Sequence, residues 1–79
     1  MKKTIDKLST LNKKANHIYN DDFLTWDEKY DLIFSDKISR KVFKLINLNY
    51  YDPDTSYQED VSAFMSAFNE RMRSTIINY

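Results

Sequence analysis

The residues whose spacing most resembles that of a metal-binding loop are those with oxygen-bearing side chains between residues 52 and 60. They fall at alternating positions, as calcium ligands do in an EF-hand loop: Asp52, Asp54, Ser56, Gln58 and Asp60. The sixth position of such a loop needs glycine and the twelfth needs glutamate, whereas this chain has Tyr57 and Ala63 there. We therefore interpret these residues as a helix-capping segment and expect no metal site.

The composition gives little support to catalytic or cofactor-binding chemistry. The chain has one histidine, no cysteine and no glycine. That composition excludes thiolate metal sites, disulfides and glycine-rich phosphate loops. The acidic residues supply no pair that can be assigned to an apolar pocket, where carboxylates gain the shifted pKa values that hydrolysis needs. We expect a protein that is not an enzyme and needs no cofactor.

A basic stripe in the middle of the chain raises the alternative of DNA binding. Residues 26–34 and 37–47 have the lengths of a helix-turn-helix, whose second helix would enter a groove. That helix would present a basic face: Lys37, Arg40, Lys41 and Lys44. The formal net charge of zero and the acidic block before this helix both oppose binding to phosphates. A small DNA-binding regulator is therefore the second interpretation.

Aromatic residues adjacent to acidic ones form the other candidate site. Aromatic anchors rimmed by charge are typical of protein interfaces. The pattern predicts a protein-binding surface built from Trp26, Asp27, Tyr30, Asp31, Tyr50, Tyr51, Asp52, Asp54 and Tyr57. In the competing interpretation Trp26 and Tyr30 belong to the core and the other tyrosines cover helix ends. The acidic block could also imitate the phosphates of DNA.

One short stretch resembles a known inhibitor family. The residues Tyr50-Tyr51-Asp52-Pro53 are similar to the Tyr-Tyr-Pro stretch of nuclease-colicin immunity proteins, with an aspartate inserted. Those proteins are small four-helix inhibitors, so the resemblance implies a helical inhibitor. It covers only this stretch, and no site residue is carried over from it.

The last helix is the element around which the other segments are expected to pack. Pro53 ends any helix before it, and Ser56 with Glu59 forms a capping box. Apolar residues then recur at the spacing of one helical face: Val61, Phe64, Met65, Phe68, Met72 and Ile76. We predict a helix from about residue 56 to residue 77, with Val61, Phe64 and Phe68 in the core.

Three further helices are predicted before it. Apolar residues at steps of three or four indicate helices over about 4–19 and 36–47, and a capping box of Thr25 and Glu28 starts one over 26–34. Short polar linkers between helices favour antiparallel neighbours. We predict an all-α fold, a small single-domain bundle of about four helices over residues 1–79.

Charge and composition complete the functional expectation. Net charge alternates along the chain: it is positive in residues 1–19 and 37–49 and negative in residues 20–36 and 50–60. Such an alternation is suited to the recognition of a partner with complementary charge. No apolar run spans a bilayer, and we expect a cytoplasmic protein with no membrane partner. The Asn, Lys, Ile, Tyr and Phe content points to a low-GC bacterium, a phage or a mobile element.

The leading interpretation is a non-enzymatic protein-binding module that inhibits or regulates a host or defence enzyme. A homodimeric structural module is a further alternative.

Overall fold

The computed structural model describes residues 2–35, 38–48 and 56–78, with side chains for residues 4–35, 38–48 and 56–74. The described residues form four α-helices and contain no strand: α1 Lys2–Tyr19, α2 Trp26–Tyr30, α3 Ile38–Leu45 and α4 Tyr57–Asn78. A π-helix, Asp31–Ser35, continues directly from α2. The predicted all-α class with about four helices is confirmed.

The second helix differs from the prediction in its geometry. One α-helix is predicted over residues 26–34, whereas α-helical geometry ends at Tyr30 and a π-helix follows to Ser35. A π-helix has a wider turn, so adjacent side chains diverge less in direction. Ile33 is fully buried, and the ring of its neighbour Phe34 lies 5.3 Å from the ring of Phe64. The wider turn accompanies the packing of both neighbours against the core.

The other helix bounds agree with the prediction to within a few residues, which is the usual uncertainty of helix ends. α1 and α4 match their predicted ranges closely, while α3 ends at Leu45 rather than at residue 47. The Ile46 N–H still donates to the Val42 carbonyl oxygen at 2.9 Å. The helical hydrogen-bond pattern therefore extends one residue beyond Leu45. The predicted start of this helix, at residue 36, lies outside the described residues.

Side-chain caps define the starts of α2 and α4. The Thr25 hydroxyl accepts from the Glu28 N–H at 3.4 Å, and the Glu28 carboxylate accepts from the Thr25 N–H at 3.0 Å. This reciprocal pair is the predicted capping box. At α4 the Ser56 hydroxyl accepts from the Glu59 N–H at 3.1 Å. An N-cap of this kind is worth about 1 kcal/mol because it satisfies an N–H that the helix itself leaves unpaired.

Hydrogen bonds between side chains tie α1 to α4. Asn12 and Asn16 each donate to the amide oxygen of Asn69, at 2.8 and 2.9 Å, and Asn69 donates back to Asn16 at 3.0 Å. Further along α1, the Tyr19 hydroxyl lies 3.3 Å from the hydroxyl of Ser62, which comes earlier in α4. Residues later in α1 therefore contact residues earlier in α4, which means that the two helices are antiparallel.

The pair α3 and α4 departs from the antiparallel expectation. The Phe43 ring lies 6.0 Å from the Phe64 ring, and the Arg71 guanidinium donates to the Asn47 carbonyl oxygen at 3.2 Å. Both residue numbers rise together, so the chain from Phe43 to Asn47, which lies two residues beyond the end of α3, runs in the same direction as α4.

The core is built around α4, as its apolar spacing predicts. The three residues predicted as core, Val61, Phe64 and Phe68, are all 0% exposed. The buried hydrophobic cluster contains Leu8, Ala15, Ile33, Ile38, Val42, Val61, Phe64, Met65, Phe68 and Met72. Ile76, also predicted on this face, has no described side chain. Neither α4 nor any other helix in the described ranges is long and apolar enough to cross a membrane.

Candidate protein-binding surface

Two of the predicted site residues meet where α2 packs against the start of α4. Tyr57 is the first residue of α4 and follows its N-cap, Ser56. The ring centroids of Tyr57 and Tyr30 lie 4.8 Å apart, within the range of favourable aromatic pairs. Tyr30 is half-buried, whereas Tyr57 remains 52% exposed. The contact therefore holds an aromatic ring in place while leaving half of it open to solvent.

Two predicted carboxylates lie close to Tyr30 in the sequence, one within α2 and one at its C-cap. Asp27 and Asp31 are both exposed, and the Asp31 N–H donates to the Asp27 carbonyl oxygen one turn back. Asp27 is three residues before Tyr30, a spacing that makes them neighbours on a helix surface. We name Asp27, Tyr30, Asp31 and Tyr57 the acidic–aromatic surface. The structure shows contact between Tyr30 and Tyr57, and membership of the two carboxylates in one binding surface stays a prediction.

The capping box fixes the charge at the edge of this surface. The Thr25 hydroxyl lies within hydrogen-bonding distance of the carboxylates of both Asp27 and Glu28. The backbone N–H of Thr25, and secondly its hydroxyl, stabilise the ionised Glu28 side chain and lower its pKa. Asp27 and Asp21 oppose this shift to a smaller extent. The start of α2 therefore keeps negative charge even in mildly acidic solution.

Trp26 is directed toward the protein rather than toward solvent. Its ring is half-buried and lies 5.9 Å from the Tyr19 ring. The ammonium group of Lys29 lies 4.3 Å from the Trp26 ring centroid and donates to the Tyr19 carbonyl oxygen at 2.7 Å. Lys29 is only 7% exposed. Trp26 and Lys29 together close the end of α1, a role that the charge pattern of the sequence did not indicate for Lys29.

Three of the four predicted basic residues on the third helix are exposed. Arg40, Lys41 and Lys44 are exposed, while Ile38 and Val42 on the opposite side are buried. Lys37 lies outside the described residues. A groove of about 550 Å³ runs between α3 and α1, lined by Asp6, Lys7, Thr10, Leu11, Lys41, Lys44 and Leu45. The basic side chains therefore border an apolar floor, which we name the α1–α3 groove.

Phe23 is an exposed aromatic residue that the helical spacing of apolar residues does not predict as part of a site. It lies in the loop between α1 and α2 and is 96% exposed. Its N–H donates to the Asp21 carboxylate at 2.8 Å, and Asp22 beside it is exposed. The signal in the sequence is a single aromatic residue inside a polar linker, outside any helical spacing. Such a residue has no predicted partner in a core.

The remaining predicted protein-binding residues lie outside the described part of the chain: Tyr50, Tyr51, Asp52 and Asp54. Their place in the acidic–aromatic surface stays a prediction. Among the residues that are described, no three metal-ligating side chains come together.

Comparison of the chain with protein-family models, with curated proteins and with solved structures gives no match.

Proposed function

We propose that this chain is a small, non-enzymatic protein-binding module that acts through its acidic–aromatic surface. The observation that supports this is the Tyr30–Tyr57 contact at 4.8 Å, which leaves Tyr57 52% exposed, while Asp27 and Asp31, near Tyr30 in the sequence, are exposed as well. Tyrosine is enriched among residues that dominate binding energy, because its ring buries a large area with few rotatable bonds. An exposed tyrosine fixed by its neighbour is therefore a good anchor.

Preorganisation strengthens this proposal. Tyr57 follows a capped helix start, where Ser56 accepts the Glu59 N–H at 3.1 Å, and its ring rests on Tyr30. Fixing a side chain before binding reduces the rotamer entropy lost in the complex, which costs about 0.5–1.5 kcal/mol for a mobile side chain. The partner thus meets a surface whose central ring already has its bound position.

The charge of the surface defines the kind of partner. Asp27 and Asp31 are exposed, and hydrogen bonds from Thr25 hold Glu28 ionised. A basic protein surface with an apolar recess for Tyr57 is complementary to this arrangement. Nucleases and other enzymes that bind nucleic acid carry such basic surfaces. We propose that the module works in the cytoplasm of a bacterium, as a host, phage or mobile-element protein, by covering such an enzyme as an inhibitor or regulator.

The experiment is affinity capture from lysate of a low-GC bacterium with three baits: the wild type, Tyr57→Ala and Phe43→Ala. Phe43 is the matched control, because it is an aromatic residue 44% exposed on a different helix, α3. The proposal expects one protein to be retained at moderate salt by the wild type and by Phe43→Ala, and lost by Tyr57→Ala. Equal retention by all three baits, or retention of no protein, would contradict it.

DNA binding is the second candidate, because Arg40, Lys41 and Lys44 are all exposed on α3. Replacing these three by alanine should leave the fold intact, since none of them is buried. On the DNA hypothesis the wild type binds duplex DNA with a steep salt dependence, and the triple variant binds more weakly with a flatter salt slope. Measuring DNA affinity at several salt concentrations decides the point. A wild type with no affinity for DNA at low salt removes this candidate.

A further inference from the structure

The α1–α3 groove has the chemistry of a receptor for an apolar group with negative charge beside it. Leu11 and Leu45 are half-buried in its wall, and three exposed lysines, Lys7, Lys41 and Lys44, outnumber the one carboxylate in the lining, Asp6. The volume, about 550 Å³, lies within the range of small binding clefts and exceeds what one aromatic side chain needs. An anionic aromatic group would bury its ring against the leucines and face the lysines with its charge.

The loop between α1 and α2 carries a group of that description. Phe23 is 96% exposed, and its N–H donates to the carboxylate of Asp21 at 2.8 Å. This is an Asx turn, a local arrangement that restrains the backbone at the aromatic residue. Asp22 adds a second, exposed carboxylate. An apolar ring thus projects into solvent with two negative charges next to it.

The ring and the groove of one molecule lie at opposite ends of α1. The groove is formed by residues 6–11 of α1, whereas Phe23 follows the end of α1 at Tyr19. The rise along the helix from Leu11 to Tyr19 alone is about 12 Å. Phe23 is also almost fully exposed, so it does not occupy the groove of its own molecule. A second copy of the chain could fill the groove, because each copy carries both the exposed ring and the groove that would receive it.

We propose that Phe23 of one copy inserts into the α1–α3 groove of a second copy, with Asp21 and Asp22 facing Lys7, Lys41 and Lys44. Each molecule offers one ring and one groove, so each copy can take part in two such contacts. Added salt weakens it because the charge pairs at the rim are solvent-exposed. The inference is independent of the proposed function, whose anchor is Tyr57, and either one can fail without the other.

Sedimentation equilibrium of the purified full chain from micromolar to millimolar concentration provides the test. The wild type should increase in average mass with concentration, and this increase should shrink with added salt. Phe23→Ala should raise the dissociation constant at least about tenfold, as loss of a central aromatic anchor does. Tyr57→Ala is the matched control, and it should associate as the wild type does.

Mixing two defective variants distinguishes this contact from other dimers. Phe23→Ala has an intact groove and no ring, whereas the double variant Lys41→Glu, Lys44→Glu has an intact ring and a repulsive groove. Each should be monomeric alone, and the mixture should form a one-to-one dimer because one complete contact remains. A wild type that stays monomeric at millimolar concentration, a dissociation constant of Phe23→Ala equal to that of the wild type, or a mixture that associates no more than its components would each overturn the inference.

Discussion

Lys29 shows how one buried charge can organise the end of a helix. Its ammonium group donates to the Tyr19 carbonyl oxygen at 2.7 Å, which is one of the carbonyl groups that α1 leaves unpaired at its end. The same group lies 4.3 Å from the centre of the Trp26 ring, a cation–π contact. The methylene groups of Lys29 are buried with it. Both neighbours of the ammonium group, the carbonyl oxygen and the indole ring, are electron-rich and attract it.

Replacing Lys29 by methionine should destabilise the fold while keeping most of the buried side-chain volume. The Tyr19 carbonyl would lose a charged donor, a change worth about 1.5–3 kcal/mol. Thermal unfolding followed by circular dichroism measures the effect, with Lys41→Met as the control because Lys41 is exposed. We expect a lower Tm for Lys29→Met alone. Equal Tm values for the two variants would mean that the Lys29 contacts do not contribute to stability.

At the scale of elements, the capping box of α2 links stability to pH. The pKa of Glu28 is lowered by the backbone N–H and then by the hydroxyl of Thr25. A carboxyl group whose pKa is lower in the folded state stabilises the fold above its unfolded pKa. It loses that contribution as the pH falls through its folded pKa. The box therefore supports α2 at neutral pH and weakens in acid.

The variant Glu28→Gln should show this effect directly. Glutamine still offers an oxygen to the Thr25 N–H but carries no charge, so its contribution does not titrate. The Tm difference between the wild type and Glu28→Gln should be largest at neutral pH. It should shrink as the pH falls through the range around and below about 4.3, the ordinary glutamate pKa. Parallel Tm curves across this range would show that the ionised carboxylate adds nothing to the cap.

α4 is the element on which the fold depends most. Phe68 is 0% exposed and its ring lies 5.8 Å from that of Phe64. Phe68→Ala should cost about 3–5 kcal/mol because it removes a buried ring and leaves a cavity. Phe23→Ala is the matched control, since Phe23 is 96% exposed. Chemical denaturation should give a large loss of stability for the first variant and none for the second; similar values would refute the core assignment.

At the scale of the whole molecule, the sequence predicts the architecture better than the surfaces. The apolar spacing of α4 identifies Phe64 and Phe68 correctly because helical periodicity decides which face is buried. The burial of Lys29 could not be predicted, since it depends on where Tyr19 and Trp26 meet in space. The π-helix at residues 31–35 likewise results from tertiary packing. Local sequence patterns contain no information about such contacts between distant elements.

The candidate surface was predictable only in part, for the same reason. Proximity in sequence groups Trp26 with Asp27 and Tyr30, yet the structure directs Trp26 toward Tyr19 and Lys29. The contact of Tyr30 with Tyr57 joins residues far apart in the chain. The sequence therefore predicts that each belongs to a binding surface but does not predict that their rings are in contact. Phe23 was overlooked because no helical spacing includes it.

The acidic–aromatic surface and the α1–α3 groove involve different elements of the molecule. The first is formed by α2 and the start of α4, whereas Lys7, Lys41 and Lys44 line the groove between α1 and α3 together with Asp6. A chain with zero formal net charge can therefore attract a basic partner at one surface while its basic side remains separate. Partner binding through Tyr57 should accordingly weaken when salt is added.

The most direct test of the central claim is the affinity of the captured protein partner for Tyr57→Ala compared with Phe43→Ala. Both variants remove an exposed aromatic ring, 52% and 44% exposed, and differ in which surface loses it. With Tm measured on the same samples, we predict native-like stability for both and affinity reduced about tenfold or more, roughly 1.4 kcal/mol or greater, for Tyr57→Ala alone. Equal affinities, or a loss confined to Phe43→Ala, would contradict a binding site at the acidic–aromatic surface.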